Sequence, residues 1–207
     1  MKENTSMTIA CLDLEGVLVP EIWIAFSEKT GIPELRITTR EEPDYDKLMK
    51  YRMGILREHN LRLSDIQDVI ATIRPLEGAK EFLDKVRALT QVVILSDTFC
   101  EFASPLMRQL GWPTIFCNSL EVDEDNMITG IRMRQIDGKR KAIEALRSLN
   151  FRTFAAGDSY NDLTMIRKAD CGCLFRAPER ILKEEPDLRL CTTYDEFYAE
   201  IEKFVKG

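Results

Sequence analysis

Five short, largely apolar runs constrain the fold of this chain more than any other feature of its sequence. Runs of this length are too short for helices and are typical of strands buried on both faces of a parallel sheet. They span residues 9–12, 92–95, 114–117, 153–156 and 171–174. The sequence therefore predicts a parallel sheet with helices covering both of its faces.

Helical patterns lie between these runs. They span residues 77–89, 101–110, 139–149 and 158–168. Strands that alternate with helices form doubly wound α/β domains, in which short βα loops gather at one edge of the sheet. We therefore predict an α/β fold with a Rossmann-like, doubly wound parallel sheet.

Residues 20–74 depart from this alternation. They contain three successive helical patterns with no strand pattern between them, which predicts a helical cap lobe inserted after the first strand. The patterns span residues 21–29, 44–59 and 65–73, and Ser64 is expected to cap the third. The core domain would then comprise residues 7–19 and 75–207.

A second departure falls within the core. Residues 119–136 alternate around Asp125 and Asn126, which predicts a β-hairpin projecting from the main sheet. At the other end of the core, the six polar residues before Met7 are expected to lie outside the fold.

The bulk composition limits the possible partners. The 207 residues are 44% hydrophobic and carry a net charge of −6, which would repel nucleic acids and anionic membrane surfaces. Apolar runs are too short to span a bilayer and no signal peptide is visible, so we predict a cytoplasmic protein with a small-molecule substrate. The six cysteines have no metal-ligand spacing and are expected to be reduced core thiols. The oligomeric state stays open.

Two acidic residues follow the first apolar run. Asp13 and Glu15 are two positions apart, and Gly16 permits a tight turn that would expose both at the edge of the sheet. A pair of carboxylates suits a nucleophile beside a proton donor, or the ligands of a hard cation.

Three more polar groups occupy similar places. Ser96 and Asp97 follow the second run, and the serine hydroxyl with nearby backbone N–H groups could hold phosphoryl oxygens. Lys139 begins a helix, where its ammonium could neutralise phosphate charge. Asp158 and Asp162 are predicted on one side of the last helix of the alternation.

Each signal alone also has an ordinary structural explanation, such as a solvated turn, a helix N-cap or an exposed helix face. Their order favours a shared site, because ligands of open α/β sheets bind at the carboxyl ends of the strands. So many carboxylates at one edge repel one another unless a cation joins them. The sequence therefore predicts a Mg²⁺-dependent phosphoryl-transfer site.

The motifs Asp13-Leu-Glu15-Gly-Val-Leu-Val-Pro-Glu21 and Gly157-Asp-Ser-Tyr-Asn-Asp162, with Ser96 and Lys139 between them, resemble the haloacid dehalogenase superfamily of phosphatases. The resemblance covers residues 7–190. It is closest to phosphoserine phosphatases, in particular a bacterial subgroup with phosphoserine:homoserine phosphotransferase activity.

The resemblance implies roles in catalysis and metal binding. Asp13 would attack phosphorus and become an aspartyl-phosphate, while Glu15 would protonate the leaving oxygen and then activate water. Mg²⁺ would be held by Asp13, the Glu15 backbone carbonyl and Asp158, with Asp162 orienting its water shell. Most superfamily members carry Asp at the position of Glu15, so the longer side chain places the acid–base geometry in question.

The resemblance also implies how substrate is held. Ser96 and Lys139 would bind the phosphoryl group, Glu21 the substrate ammonium and Arg52 its carboxylate, with Asn161 close by. From the residues alone, Glu21 could instead complement a helix dipole and Arg52 could be a surface charge. Two other functions stay open: the same chemistry on another small phosphate ester, or a phosphate-sensing module that is phosphorylated but not discharged.

Overall fold

The computed structural model describes residues 7–38, 41–42 and 45–207. Residues 1–6, and Asp44 at the predicted start of the second lobe helix, lie outside the described residues. The strands are β1 (Thr8–Leu12), β2 (Gln91–Phe99), β3 (Thr114–Val122), β4 (Ile128–Arg132), β5 (Arg152–Gly157), β6 (Cys171–Phe175) and β7 (Arg189–Cys191).

The helices alternate with the strands after an initial helical segment. They are α1 (Ile22–Thr30), α2 (Tyr45–Glu58), α3 (Leu63–Ala71), α4 (Ala79–Leu89), α5 (Cys100–Gln109), α6 (Gly138–Ser148), α7 (Leu163–Lys168), α8 (Glu179–Glu184) and α9 (Tyr194–Lys206). Short 3-10 turns span Pro33–Arg36 and Tyr160–Asp162. None of the described helices is both long and apolar enough to cross a bilayer.

The strands form a seven-stranded sheet in the order β4-β3-β2-β1-β5-β6-β7. All neighbours are parallel except β4, which runs antiparallel to β3. The α/β fold class is thus confirmed. Strand β2 lies on one side of β1 and β5 lies on the other, so the order of the strands reverses at β1. In sheets of this kind, a crevice opens at the carboxyl end of the strand where the order reverses.

The two faces of the sheet bury separate apolar clusters. Along β1, Ile9 and Cys11 face a cluster that includes α6 and α7, while Ala10 and Leu12 face the other cluster. This alternation follows from the two-residue period of a strand. The second cluster also includes the buried faces of α1, α2 and α3, so the predicted lobe and core share one continuous apolar interior.

The chain enters and leaves the lobe segment at neighbouring points. Leu76 N–H donates to the carbonyl of Leu18 at 3.0 Å, which ties the two crossings together. The division into a core of 7–19 and 75–207 and a lobe of 20–74 stays a prediction. The structure does place three successive helices, without an intervening strand among the described residues, in that segment.

The predicted hairpin is present: β3 pairs with β2 only up to Asn118 and with β4 from Ser119 onward, so the hairpin continues past the end of β2. Its turn contains Asn126 at φ +64°. The Asn126 carbonyl accepts the Leu63 N–H, and its side-chain oxygen accepts the Ser64 N–H, both at 2.8 Å. The prediction of Ser64 as an N-cap is therefore wrong: the helix already begins at Leu63, and a residue from the hairpin satisfies its first N–H groups.

Other differences lie near the ends of the chain. Strand β7 and helices α8 and α9 were not predicted from the sequence. All six cysteines are free, as expected, but Cys100 and Cys171 are exposed rather than core residues. Cys171 is the first residue of β6, at the amino end of the strand, and this first residue of the apolar run is not buried.

Candidate active site

Strand register brings the predicted residues to one edge of the sheet. Leu12 pairs with Ile94 of β2 and with Ala156 of β5. The next residue, Asp13, donates its backbone N–H to the Ala156 carbonyl at 2.9 Å. Asp13 therefore stands where β1 ends, between the ends of its two neighbouring strands.

A buried lysine joins two carboxylates at this edge. Lys139 Nζ lies 2.9 Å from Asp13 Oδ1 and 2.7 Å from Asp162 Oδ1. All three side chains are at least nine-tenths buried. Asp13 Oδ1 also accepts the Leu14 N–H at 2.8 Å. Because the described bonds of Asp13 fall on Oδ1, its Oδ2 is the oxygen left to face a ligand.

Asp162 is held from both sides. Its Oδ2 accepts N–H groups of Asp158 and Ser159 and the Ser159 hydroxyl, each at 3.1 Å. This capping arrangement holds Asp158 and Ser159 outside the helix, so the prediction of a helix from Asp158 is wrong. The 3-10 turn starts at Tyr160 and the α-helix at Leu163. A Cβ at Gly157 would lie 2.1 Å from Asp162 Cγ, which explains why glycine ends β5.

Asp158 lies at the site because its side chain packs closely against the backbone of Gly16. Gly16 has φ +75°, and a Cβ there would lie 2.3 Å from Asp158 Oδ2. The first turn and the turn after β5 thus pack directly against each other. Oxygens of Asp13, Asp158 and Asp162 consequently lie within 4.8 Å of one another. Asp158 and Asp162 are brought together by the capping turn and not by lying on one face of a helix.

The electrostatics of this cluster favour a bound cation. Burial, and then Asp162, raise the pKa of Asp13, while Lys139 opposes the shift. Burial and Asp162 also raise the pKa of Asp158 to about 7. Burial alone would lower the pKa of Lys139, but the nearby carboxylates outweigh it and raise that pKa well above its usual value. One ammonium does not balance three carboxylates, and a hard dication with oxygen ligands fits the remaining charge.

Ser96 and Asp97 lie at a register irregularity of β2. The Ser96 hydroxyl is buried and accepts the Thr98 N–H at 3.2 Å, which leaves its proton available to a ligand. The Asp97 carboxylate accepts the Asn161 amide at 2.9 Å and lies 3.8 Å from Lys139 Nζ. Two predicted substrate residues, Asp97 and Asn161, are therefore bonded to each other at the mouth of the site.

Glu15 points away from the three aspartates. Its Oε2 accepts the Ile22 N–H at 2.8 Å, in the first turn of α1. Burial, and then the charge of Glu21, raise the pKa of Glu15 to about 8. The side chain is thus an acid in the neutral range, which suits proton donation. Its carboxylate takes no part in the aspartate cluster, so only its backbone carbonyl stays a candidate metal ligand.

Arg52 is buried rather than a surface charge. Its guanidinium lies over the Trp23 ring, with Cζ 4.5 Å from the ring centroid, and one nitrogen donates to the Ile37 carbonyl at 2.6 Å. The charges of Glu15 and Glu21 act on it, which places Glu21 on the same side of the site. Burial lowers the pKa of Arg52 to about 10, so it stays protonated at neutral pH.

Three residues that the sequence reasoning missed support the site. Trp23 contacts Arg52, while Asn118 and Tyr45 donate to the Asp97 carbonyl at 3.0 and 3.4 Å. Asn118 could have been noticed as a polar residue directly after an apolar run, like Asp13 and Ser96. The other two lie on helices whose patterns carry no comparable signal.

Comparison with known proteins agrees with this geometry. The family model for haloacid dehalogenase-like hydrolases matches residues 21–167. The chain is 58% identical over 197 residues to phosphoserine phosphatase ThrH of Pseudomonas aeruginosa, covering 95% of this chain and 96% of that protein. It is also 58% identical over 198 residues to a phosphoserine phosphatase of Pseudomonas syringae, covering 96% and 84%.

Solved structures share the fold. A phosphoserine phosphatase in its apo form superposes with a TM-score of 0.72 at 21% identity, covering 89% of this chain and 93% of that one. A phospho-aspartyl intermediate analogue of a phosphoserine phosphatase gives 0.69 at 20% identity, covering 90% and 93%. Fold and site define a hydrolase with a doubly wound, mostly parallel sheet and an acidic centre at the end of its first strand. The chain belongs to the haloacid dehalogenase-like hydrolase family, as the motifs predict.

Proposed function

We propose that the protein is a phosphoserine phosphatase that works through an aspartyl-phosphate on Asp13. The observation that carries the proposal is the buried group of Asp13, Lys139 and Asp162 at the carboxyl edge of the sheet. The two Pseudomonas relatives, which are named as phosphoserine phosphatases, support the choice of substrate.

In the first half-reaction, Asp13 Oδ2 attacks phosphorus and forms the new P–O bond. The ester bond to the serine oxygen breaks, and that oxygen takes the proton of the Glu15 carboxylic acid. Lys139 and the Ser96 hydroxyl bind the phosphoryl oxygens and stabilise their charge. A pKa of about 8 for Glu15 supports this role, since the group begins the reaction protonated at neutral pH.

In the second half-reaction, water attacks the phosphorus of the aspartyl-phosphate. Glu15, now a carboxylate, takes a proton from that water. The P–O bond to Asp13 breaks, which releases phosphate and restores the Asp13 carboxylate. Because Oε2 of Glu15 accepts the Ile22 N–H, Oε1 is the oxygen that would carry the proton in both steps, and the first turn of α1 would hold the side chain in place.

We propose Mg²⁺ as the cofactor. Asp13, Asp158 and the Glu15 carbonyl would hold it directly, whereas Asp162 would orient its waters because both of its oxygens are already engaged. When bound, the dication would neutralise phosphoryl charge and keep the aspartates ionised. Chelation should therefore abolish phosphate release, and Mg²⁺ should restore it.

The lobe would recognise the amino-acid part of the substrate. Arg52 is a buried, charged guanidinium, and a planar carboxylate is the ligand that matches its donor fork. Glu21 directly precedes α1 and is exposed, so its carboxylate can bind an ammonium group. Asp97 and Asn161 at the mouth would complete the polar surroundings of the substrate.

The proposal extends to transfer of phosphate from the aspartyl-phosphate to homoserine. Homoserine carries serine's ammonium and carboxylate, so Glu21 and Arg52 could hold it with its hydroxyl near phosphorus. A held alcohol has a proximity advantage over water that diffuses in. Phosphohomoserine should then form from phosphoserine as homoserine is raised. If free phosphate is the only product at saturating homoserine, the protein discharges to water alone.

The decisive experiment measures phosphate release from matched phosphoesters with and without Mg²⁺. Phosphoserine should be preferred over phosphoethanolamine, which lacks only the carboxylate, and over glycerol phosphate, which lacks both charged groups. Mg²⁺-dependent release that is fastest from another ester would support the proposed chemistry and contradict phosphoserine as the substrate. No release from any ester with Mg²⁺ would contradict the proposed function.

A further inference from the structure

Arg52 has an environment that the proposed reaction alone does not explain. Only 5% of its surface is exposed, and one of its nitrogens donates to the Met49 sulfur at 3.8 Å. A buried cation needs compensating partners, because removal from water costs several kcal/mol in the interior. The charges of Glu15 and Glu21, the Ile37 carbonyl and the face of Trp23 compensate it.

Trp23 is itself fixed in position. Its ring meets Phe102 edge-on, with centroids 5.4 Å apart and planes at 73°. It meets Phe26 in the same manner, at 6.3 Å and 79°. Edge-to-face contacts of this kind favour one orientation of the ring. The plane of the indole is therefore set by the interior, and it in turn restricts the guanidinium stacked on it.

One donor of Arg52 is left without a partner. In the part of the chain that the structure describes, its Nε is the single buried side-chain nitrogen or oxygen that makes no hydrogen bond. A buried polar atom without a partner destabilises a folded protein by about 1–3 kcal/mol. Such an atom, on a guanidinium held in one plane, is suited to an acceptor supplied by a ligand.

We propose that Trp23 is a positioning residue for substrate selection: by fixing the plane of Arg52, it directs the unpartnered edge of the guanidinium toward the substrate carboxylate. This inference rests on the proposed function. It assigns to an uncharged side chain the preference for phosphoesters that carry a carboxylate. Trp23 does not touch the reacting atoms and acts only through Arg52.

The test compares Trp23→Leu with Trp23→Phe on phosphoserine and phosphoethanolamine. Cation–π contacts contribute about 0.5–2 kcal/mol, so the leucine variant should raise KM for phosphoserine by about 2- to 30-fold with kcat little changed. KM for phosphoethanolamine should stay within about twofold, and phenylalanine should recover part of the loss. The matched control is Trp112→Leu, which alters the exposed tryptophan at the opposite edge of the sheet.

A double-mutant comparison separates this inference from the proposed function. In an Arg52→Ala background, Trp23→Leu should cost nothing further on phosphoserine, because Trp23 no longer has a group to position. If Arg52→Ala affects both substrates equally, the proposed carboxylate clamp fails. If Arg52→Ala is selective but Trp23→Leu is not, or if the two losses add, the role of Trp23 alone is overturned.

Fluorescence gives a second measurement that does not depend on turnover or on the leucine variant. The chain has two tryptophans, so Trp112→Phe leaves Trp23 as the only one. In that protein, with Asp13→Asn added to prevent turnover, phosphoserine should change the emission more than phosphoethanolamine at equal occupancy. Equal changes would show that Trp23 does not sense the carboxylate and would contradict the inference.

Discussion

The acidic centre and the predicted lobe, residues 20–74, are built differently. At the centre, Lys139 bonds to Asp13 and Asp162, whose carboxylates also accept backbone N–H groups from adjacent strand ends. In the lobe, Arg52 lies on an aromatic face, donates to one backbone carbonyl and leaves one donor unpaired. Under the proposed function, the centre would be organised before substrate arrives, whereas the lobe would be completed by the substrate.

This difference assigns separate tasks to the two regions. Charge stabilisation at phosphorus requires groups that need no rearrangement, and a buried network of charged bonds supplies them. Selection among esters requires a penalty for the wrong ligand, and under the proposed function the unpaired buried donor of Arg52 would supply it when the carboxylate is missing. Mutations in the centre should therefore reduce turnover of every substrate, while mutations in the lobe should change the preference among them.

The largest expected effect is that of Asp13→Asn. The amide keeps the shape but is not a carboxylate nucleophile, so activity on every ester should fall to background, a loss on the order of 10⁶-fold. Thermal unfolding should show an intact fold, because the amide oxygen can still accept the Leu14 N–H. Asp125→Asn, in the exposed hairpin turn, is the matched control. A well-folded Asp13→Asn protein with substantial activity would remove Asp13 from the nucleophile's role.

The second prediction concerns Asp158 and the cation. Added Mg²⁺ should raise the unfolding temperature of the wild-type protein. The free energy of unfolding should increase by about 2.7 kcal/mol when the ion reaches 100 times its dissociation constant. Asp158→Ala should lose most of that shift and require far more Mg²⁺ for activity. Without metal, the variant should be no less stable than wild type, because one of three crowded carboxylates is gone. An unchanged Mg²⁺ response would exclude Asp158 as a ligand.

The third prediction tests the lobe against the centre. Arg52→Ala should weaken binding of phosphoserine by about 1.5–3 kcal/mol, the range for hydrogen bonds to charged groups, which is roughly 10- to 150-fold. Phosphoethanolamine should lose much less. Lys139→Ala is the contrasting variant, since it should reduce turnover of both esters alike. A loss that is equal on both esters for Arg52→Ala would remove the distinction between the two regions.

The centre could be predicted from sequence because its signals are local. Asp13 and Ser96 each follow an apolar run, and the parallel sheet then brings the ends of those runs together. The position of Asp158 was predicted less well, since the turn there depends on capping by Asp162. Local propensity favours a helix from Asp158, but the carboxylate of Asp162 holds the chain in a turn instead.

The lobe could not be worked out from local patterns. Arg52 entered as a candidate only by resemblance, because its burial depends on contacts between α1 and α2 that no periodicity predicts. Trp23 was missed for the same reason. The N-terminus of α3 shows the same limit, since its first N–H groups bond to Asn126 of a distant hairpin.

The smallest expected effect is a change in stability on replacing Glu15, which connects the two regions. Its carboxylate accepts the Ile22 N–H and so satisfies a donor at the start of α1. Glu15→Asp shortens the side chain by one methylene and should lose this bond, lowering the free energy of unfolding by about 0.5–2 kcal/mol. For a chain of this size each kcal/mol corresponds to a Tm change of about 2–4 °C.

Glu15→Gln is the matched variant, because it keeps the length and an oxygen that can accept the same N–H. It should unfold at the wild-type temperature or above. Burial raises the pKa of Glu15 and so destabilises the folded protein at neutral pH, and the neutral amide does not carry this penalty. Activity should show the opposite order: the aspartate variant retains an acid, whereas the glutamine variant cannot donate or accept the proton. Paired denaturation curves and initial rates of the three proteins measure both. Equal stability of all three would mean that the bond to α1 contributes nothing, and the centre and the lobe would then be joined only through the substrate.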